Sequence, residues 1–323
     1  MPAAVLVLIV SAGAGLFAGS YTYAMADPTP HRVPVAVVGV THETVRGEAF
    51  AAGMEQALDA SLDLTYQPSL QEARRLVEEQ RVFGILEVHG SDVRLDVAGA
   101  AGASVAQLLT EAAPQVAARI GVRLTVRDIK PLQRGDPRGL ALFYITLAAV
   151  VMGFIGAVQL SVHASALSPW ERIAATAAYA GLGGLSIVAA VDWVLGALDL
   201  PVPESWFILA LTMFTSGMVF TMFNTLVGRW AMVPTWGLMV LLGNPSSGGA
   251  VSWPLLPSPL GTIGRWLPPG ASVNAQHTAV YFSGHQRLTP FLVLAIWALG
   301  SMAVFLRYRE RHPGVGRRPR TGS

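Results

Sequence analysis

The chain has 323 residues, of which 52% are hydrophobic, 13% are charged and none is cysteine. Since soluble domains carry about 25% charged residues, this composition excludes an ordinary soluble enzyme, and the lack of cysteine excludes disulfides and thiolate metal sites. The net charge of +2 combines an acidic segment over residues 27–139 with basic residues elsewhere, six of them after Leu306, so it indicates no nucleic-acid surface and no nucleic-acid partner.

The first predicted element is an apolar helix over residues 3–24, which is long enough to cross a bilayer because a crossing needs about 20 apolar residues. Two interpretations of residues 1–26 stay open. The small residues up to Ala26 resemble a signal-peptide cleavage site, whereas the missing basic flank and the long apolar stretch favour a retained transmembrane helix. We expect the retained helix.

Residues 27–139 alternate between strand and helix patterns. The run VPVAVVGV is typical of a buried strand, Pro68 and Ser69 open a helix, HGSD indicates a hairpin turn, and Gly121 ends the last helix. The full order is strand, helix, strand, helix, strand, strand, helix, strand. This order predicts an extracytoplasmic α/β domain with a mixed sheet.

The membrane domain is predicted over residues 140–306. The apolar runs expected to cross the bilayer cover residues 140–160, 173–198, 206–227 and 290–306. A further run over residues 230–242 has only 13 residues, and at 1.5 Å per residue it covers about 20 Å, which is too short. The arginines of the tail, residues 307–323, indicate a cytoplasmic C-terminus. We expect the segment after this short run to complete its passage, which gives a multi-pass membrane α-helical bundle of six spans in the cell membrane. Both termini are then cytoplasmic, and the α/β domain is inserted after the first span.

The stretch that follows the short run, residues 243–289, predicts a re-entrant element on the outer side. Proline and glycine break the helix there, and non-helical backbone at membrane depth must be buried in protein or line a wet cavity. Residues 268–284 are expected to form a short amphipathic helix. The candidate gate residues are Gly243, Asn244, Pro245, Gly248, Gly249, Pro254, Pro257, Pro268 and Pro269.

Few residues suggest chemistry. Asp192 is an ionisable residue inside a membrane run, which marks either a functional carboxylate or a residue near the interface, and both interpretations stay open. Gly153, Gly184 and Gly217 predict close helix packing. No GxSxG nucleophile motif and no P-loop occurs. We therefore expect no catalytic residue, no cofactor and no metal site.

Four stretches carry a resemblance to a known family: DPTPHRVPVAVVG at 27–39, GNPSSGG at 243–249, PLLPSPLG at 254–261 and RWLPPGASVNAQHTAVYF at 265–282. Together with the order of the spans, they make the chain similar to type-2 ABC exporter permeases, in particular the phage-infection-protein (Pip-like) branch of Gram-positive bacteria. The resemblance implies a subunit that works with a separate ATPase. It also implies that the loop SVHASALSPWERI carries a coupling element, whose candidate residues are Ser168, Pro169, Trp170, Glu171 and Arg172.

These observations favour a permease-like subunit of an ABC-type exporter that moves a lipid-like or amphipathic substrate, surrounded by membrane lipid and assembled as a homodimer. The alternative is a non-transporting multispan membrane protein that displays an exported sensor, receptor or assembly domain. For residues 168–172, the alternative to a coupling element is a plain helix start with an interfacial tryptophan.

Overall fold

A computed structural model describes residues 2–26, 28, 30–39 and 45–312 of the chain. Most of the described residues are helical. The helices are α1 (Pro2–Met25), α2 (Val45–Leu58), α3 (Leu70–Glu78), α4 (Ala103–Ile120), α5 (Ala141–His163), α6 (Pro169–Val188), α7 (Val202–Val227), α8 (Met232–Trp236), α9 (Leu260–Ile263), α10 (Pro268–Tyr281) and α11 (Leu288–Arg311). The strands are β1 (Val33–Val38), β2 (Leu62–Gln67), β3 (Gly84–His89), β4 (Asp92–Val97) and β5 (Arg123–Asp128). The end of the predicted basic tail, residues 313–323, lies outside the described residues.

Residues 33–128 form a layered α/β unit around one mixed sheet. The strand order is β2-β1-β3-β4-β5, and β3 and β4 are antiparallel while the other neighbours are parallel. Alternate residues of β1 face opposite sides, so Val35 packs in the core with α2 and α4 whereas Ala36 packs in the core with α3. The predicted order of strands and helices is confirmed.

Local signals set the ends of the elements in this unit. Ser69 caps α3, because its Oγ accepts a hydrogen bond of 3.3 Å from the backbone N–H of Glu72. Gly121 ends α4 in the left-handed region at φ +72°, where glycine has no Cβ penalty. Gly90 provides the positive φ of the tight turn between β3 and β4. These three positions were all predicted as caps, stops or turns.

Among the described residues, five helices are long and apolar enough to cross a membrane: Val7–Met25, Ala141–His163, Pro169–Val194, Val202–Trp230 and Leu288–Arg311. They coincide with the five long apolar runs of the sequence, and they make the chain a multi-pass membrane protein. The sixth predicted passage stays a prediction, because residues 232–243 form only a shorter apolar helix. In that helix α8 continues into a π-helical turn, Gly237–Gly243.

α7 is the central helix of the apolar bundle, and it packs against α5, α6, α10 and α11. In its apolar stretch 61% of the residues are buried, against 6% for α1, which lies at the periphery beside the π-helical turn Gly237–Gly243. Glycines allow close approach, as predicted. A Cβ on Gly153 of α5 would lie 2.5 Å from the carbonyl oxygen of Met213, and a Cβ on Gly184 of α6 would lie 2.9 Å from the backbone nitrogen of Ala210.

The proline- and glycine-rich segment, residues 243–289, folds into short turns, α9 and α10 rather than a long rod. The expectation of an amphipathic helix is wrong for α10, because residues all around its circumference are buried. Two of its buried polar side chains have partners on α7, although the Oε1 atom of Gln276 has no hydrogen-bond partner among the described residues. The hydroxyl of Thr212 donates to Ser272 Oγ at 2.7 Å, and Gln276 Nε2 donates to the carbonyl oxygen of Ser205 at 2.8 Å. Satisfied polar groups can be buried at low cost.

The α/β unit packs directly on this segment. Val251, Leu255 and Leu256 belong to the same hydrophobic core as α2 and α4. Ser104 Oγ at the start of α4 donates to Ser252 Oγ at 2.9 Å and accepts from the backbone N–H of Ser252 at 3.0 Å. The α/β unit therefore lies at one end of the helix bundle, beside the first residues of α5 and α11.

Candidate functional site

A cavity of about 430 Å³ lies where the α/β unit meets the helix bundle. We call it the junction cavity. Its walls come from the loop before α4, the linker before α5, the glycine- and serine-rich loop over residues 246–253, the turn at residues 261–266, α10 and the start of α11. The volume falls within the range of roughly 300–1,000 Å³ that is typical of small-molecule sites.

The charged side chains that line the junction cavity are all arginines: Arg138, Arg265 and Arg287. No aspartate or glutamate lines it among the described residues. Arg265 lies over the ring of Trp253, with 4.0 Å between its Cζ atom and the ring centroid. Arg287 Nη2 donates a hydrogen bond to the carbonyl oxygen of Glu79. The structure assigns Arg138 no hydrogen bond or ion pair with any described residue. Each guanidinium has five N–H donors, so most of the donors at this site stay available.

The electrostatics of the cavity follow from this one-sided charge. The side chain of Arg265 is exposed over part of its length, but partial burial of its guanidinium and the positive charge of Arg287 lower its pKa. Burial also lowers the pKa of His277 to about 4, so its imidazole is neutral at physiological pH and contributes no charge of its own. Concave surfaces of one sign concentrate ions of the opposite sign. The cavity is therefore suited to an anion.

The carboxylate of Asp136, close in sequence to Arg138, is bound to backbone instead of neutralising an arginine. Its Oδ1 accepts from the N–H of Leu140 at 3.0 Å and its Oδ2 from the N–H of Ala141 at 2.9 Å. Asp136 is buried, and it accepts from the first backbone N–H groups of α5, which have no partner within the helix. Asp136 thus fixes the linker that carries Arg138 at the end of the bundle that contacts the α/β unit.

Two of the predicted gate residues, Gly248 and Gly249, line the junction cavity. Gly248 adopts φ +81°, which favours glycine, and a Cβ on Gly249 would lie 3.2 Å from the side chain of Phe143. The loop therefore presents backbone rather than side chains to this wall of the cavity.

The other predicted gate residues hold the segment together around the cavity. Asn244 Nδ2 donates to Tyr21 Oη of α1 at 2.7 Å, which ties the first helix to the segment. Gly243 packs against the ring of Pro269. The remaining positions are Pro245, Pro254 and Pro268, which are buried, and Pro257, which is half-buried. None of these four prolines lines the cavity.

The predicted coupling residues lie at the opposite end of the bundle. α6 begins at Pro169 with a capping box, in which Ser168 Oγ accepts from the N–H of Glu171 at 3.3 Å and Glu171 Oε2 accepts from the N–H of Ser168 at 2.8 Å. Arg172 Nη2 donates to the carbonyl oxygen of Ala164 at 3.2 Å, across the α5–α6 loop. Trp170 is 67% exposed. The helix start is thus rigid and presents one large aromatic surface.

Asp192 lies in a π-helical turn, Ala189–Val194, that follows α6. Its Oδ2 accepts a hydrogen bond of 3.2 Å from the backbone N–H of Leu200, so the carboxylate holds the connection between α6 and α7. Asp192 does not line the junction cavity. This position favours a structural role over the functional carboxylate that the sequence left open.

Among the described residues, no group of three or more histidine, aspartate or glutamate side chains could hold a metal ion. Comparison of the chain with protein-family models, with curated proteins and with solved structures finds no match. The candidate site therefore depends on its geometry alone.

The arginines of the junction cavity were missed at the sequence level, although one signal was present. Residues 140–306 contain only four arginines, and two of them, Arg265 and Arg287, fall in the segment predicted to lie outside. Arginine is favoured on the cytoplasmic side of membrane proteins, so two arginines in a segment predicted to lie on the outer side indicate a specific role. A ligand with negative charge supplies one.

Proposed function

We propose that the chain is a permease-like subunit of an ABC-type exporter, which moves a lipid-like or amphipathic substrate with energy from a separate ATPase. The observation that carries the proposal is the placement of two features at opposite ends of one apolar bundle. The junction cavity lies at the end that packs on the α/β unit, and the capped start of α6 lies at the other end.

This arrangement suits transmission of a movement across the bundle. Close contacts join α5 and α6 to α7 at Gly153 and Gly184. α7 in turn packs against α10 and α11, which line the junction cavity. Tightly packed helices move as units, so a push on the loop between α5 and α6 would reach the cavity through α7.

The segment over residues 243–289 suits a gate. It is built of short turns and short helices, it is rich in glycine, and it lies between the bundle and the α/β unit. Its loop over residues 246–249 covers one side of the cavity with little more than backbone and small side chains. In the proposed cycle, rearrangement of this segment releases the substrate on the side of the α/β unit.

The experiment that tests the ATPase partner uses site-specific photo-crosslinking in native membranes. A photoreactive p-benzoylphenylalanine replaces Trp170 in one variant and Trp193 in the control. Both tryptophans are exposed, at 67% and 62%, and they lie at opposite ends of the same α6 segment. We expect the probe at position 170 to capture a protein with Walker motifs, and the probe at 193 to capture none.

Two results would count against the proposal. The first is equal capture from both positions, which would indicate a contact unrelated to the start of α6. The second is the absence of any nucleotide-binding protein from the adducts of a membrane-inserted variant. The second result would favour the alternative, a non-transporting membrane protein that displays a sensor or receptor domain, because such a protein needs a ligand cavity but no ATPase.

A further inference from the structure

We propose that the junction cavity binds the phosphate-bearing headgroup of an anionic amphiphile through Arg138 and Arg265, with Arg287 beside them, while the apolar tail lies along α11. The binding site is inferred from the geometry of the cavity and does not depend on the proposed function. The role of this amphiphile as the exported substrate rests on the proposed function.

The unbalanced charge of the cavity is the first support. Three guanidinium groups share its lining with no carboxylate among the described residues, and the neighbouring Asp136 is already bound to backbone N–H groups. Guanidinium groups bind phosphate and carboxylate oxygens through paired, charge-assisted hydrogen bonds. A phosphate has enough oxygens to bind more than one guanidinium, so it fits a site with several arginines better than a single carboxylate does.

The orientation of the individual arginines is the second support. Arg265 is held by its position over Trp253, and Arg287 uses one donor on the carbonyl oxygen of Glu79. Both are thereby positioned without being neutralised. Since the positive charges of Arg265 and Arg287 repel each other, an anion bound between them would relieve an unfavourable interaction.

The apolar part of the lining, together with the adjacent helix face, is the third support. Apolar side chains stand beside the arginines in the cavity wall, among them Phe83, Leu132, Leu142, Trp266 and Pro290. The wall of the headgroup site is therefore apolar on one side. A ligand that satisfies both parts of the wall must be amphipathic.

A path for the tail continues out of the cavity along α11. Thr289 lines the cavity at the start of this helix. Leu292, Ile296 and Leu299 follow at helical spacing on the same face, and all three are exposed, Ile296 at 68%. The volume of about 430 Å³ holds a headgroup but leaves little room for long acyl chains, so the tail must lie on this face.

The test measures lipid binding to the purified full-length chain in detergent by native mass spectrometry. The probes are phosphatidylglycerol, which is anionic, phosphatidylcholine, which has a phosphate but no net charge, and glycerol 3-phosphate, which lacks the tail. We expect a single phosphatidylglycerol site that binds at least tenfold more tightly than either of the other probes.

Arginine variants assign the binding to the cavity. Because a hydrogen bond to a charged group contributes about 1.5–3 kcal/mol, Arg138→Gln and Arg265→Gln should each weaken phosphatidylglycerol binding about tenfold or more. The matched controls are Arg134→Gln in the same linker and Arg229→Gln at the other end of the bundle, since neither lines the cavity. Both controls should bind as the unchanged chain does. Arg265→Lys retains the charge and should recover part of the affinity.

Several outcomes would overturn the inference: equal binding of phosphatidylcholine, equal binding of glycerol 3-phosphate, unchanged affinity in Arg138→Gln, or losses in the two control variants that match those in the cavity variants. Thermal unfolding of each variant checks the fold, and Arg138→Gln removes no bond within the described structure. Failure here is distinguishable from failure of the exporter proposal, because lipid binding needs no ATPase and the crosslink from position 170 needs no lipid site.

Discussion

Gly264 is the position where the folded segment over residues 243–289 is most sensitive to one added methyl group. A Cβ there would overlap the carbonyl oxygen of Ser246, and Gly264 itself lies close to Gly270. The backbone of Gly264 is in the ordinary right-handed region at φ −55°, so the effect of Gly264→Ala is steric and involves no change of backbone preference. The obstacle is backbone, which cannot rotate away as a side chain can.

The expected loss is large for so small a change. Overpacking by one or more methylene groups costs about 1–3 kcal/mol, and a clash with backbone lies at the upper end of this range. At roughly 2–4 °C per kcal/mol, Gly264→Ala should lower the Tm by about 6–12 °C. The assay is thermal unfolding of the purified chain in detergent, followed by tryptophan fluorescence, because Trp253 and Trp266 lie in the same segment.

The matched control is Gly300→Ala in α11. A Cβ at Gly300 would meet nothing within 4 Å, and alanine is the better helix former. The Tm of this variant should be unchanged or slightly higher. If Gly264→Ala unfolds at the same temperature as Gly300→Ala, the loop over residues 246–249 does not lie against the turn at residue 264, and the walls of the junction cavity are wrong.

Three further changes test other contacts by the same thermal assay. Asp136→Ala leaves the backbone N–H groups of Leu140 and Ala141 without their acceptors, and since a lost hydrogen bond of this kind at a helix start costs about 0.5–2 kcal/mol it should lower the Tm by several degrees. Ser104→Ala leaves the backbone N–H of Ser252 without its partner, so it should destabilise the chain by about 1–3 kcal/mol, whereas Ser104→Thr should retain the bond and most of the stability. Tyr21→Phe leaves the buried Nδ2 atom of Asn244 without its acceptor, and we expect a loss of about 1–3 kcal/mol together with easier proteolysis after α1.

The α/β unit was predictable from the sequence because its signals are local. Alternating apolar residues mark the strands, and single residues mark their ends: Ser69 as a cap, Gly121 as a stop and Gly90 in the hairpin turn. Each of these signals acts within a few residues of the chain. The order of elements then restricts the sheet to a mixed one.

α10 shows where local patterns fail. Its sequence contains Ser272, Gln276 and Thr278, which suggest a polar, solvent-exposed face. In the structure these side chains are buried, and their hydrogen-bond partners come from α7 and from Gln80 of the α/β unit. Partners so distant along the chain leave no periodicity in the sequence of α10.

The junction cavity could not be predicted from the sequence for a similar reason. Arg138, Arg265 and Arg287 come from three separate segments, and only the packing of the α/β unit on residues 250–256 brings these segments together. The sequence contained one usable clue, the presence of two arginines on the side where basic residues are disfavoured. It did not indicate that Arg138 would join them.

The sidedness of the membrane is the central claim of the exporter proposal, and single cysteines measure it directly because the chain has no cysteine of its own. Ser61→Cys in the α/β unit, Ser283→Cys beside α11 and Ser165→Cys in the α5–α6 loop all replace exposed serines. In intact cells a membrane-impermeant maleimide should label positions 61 and 283 but leave position 165 unlabelled until the membrane is opened. Labelling of positions 165 and 61 from the same side would contradict the account.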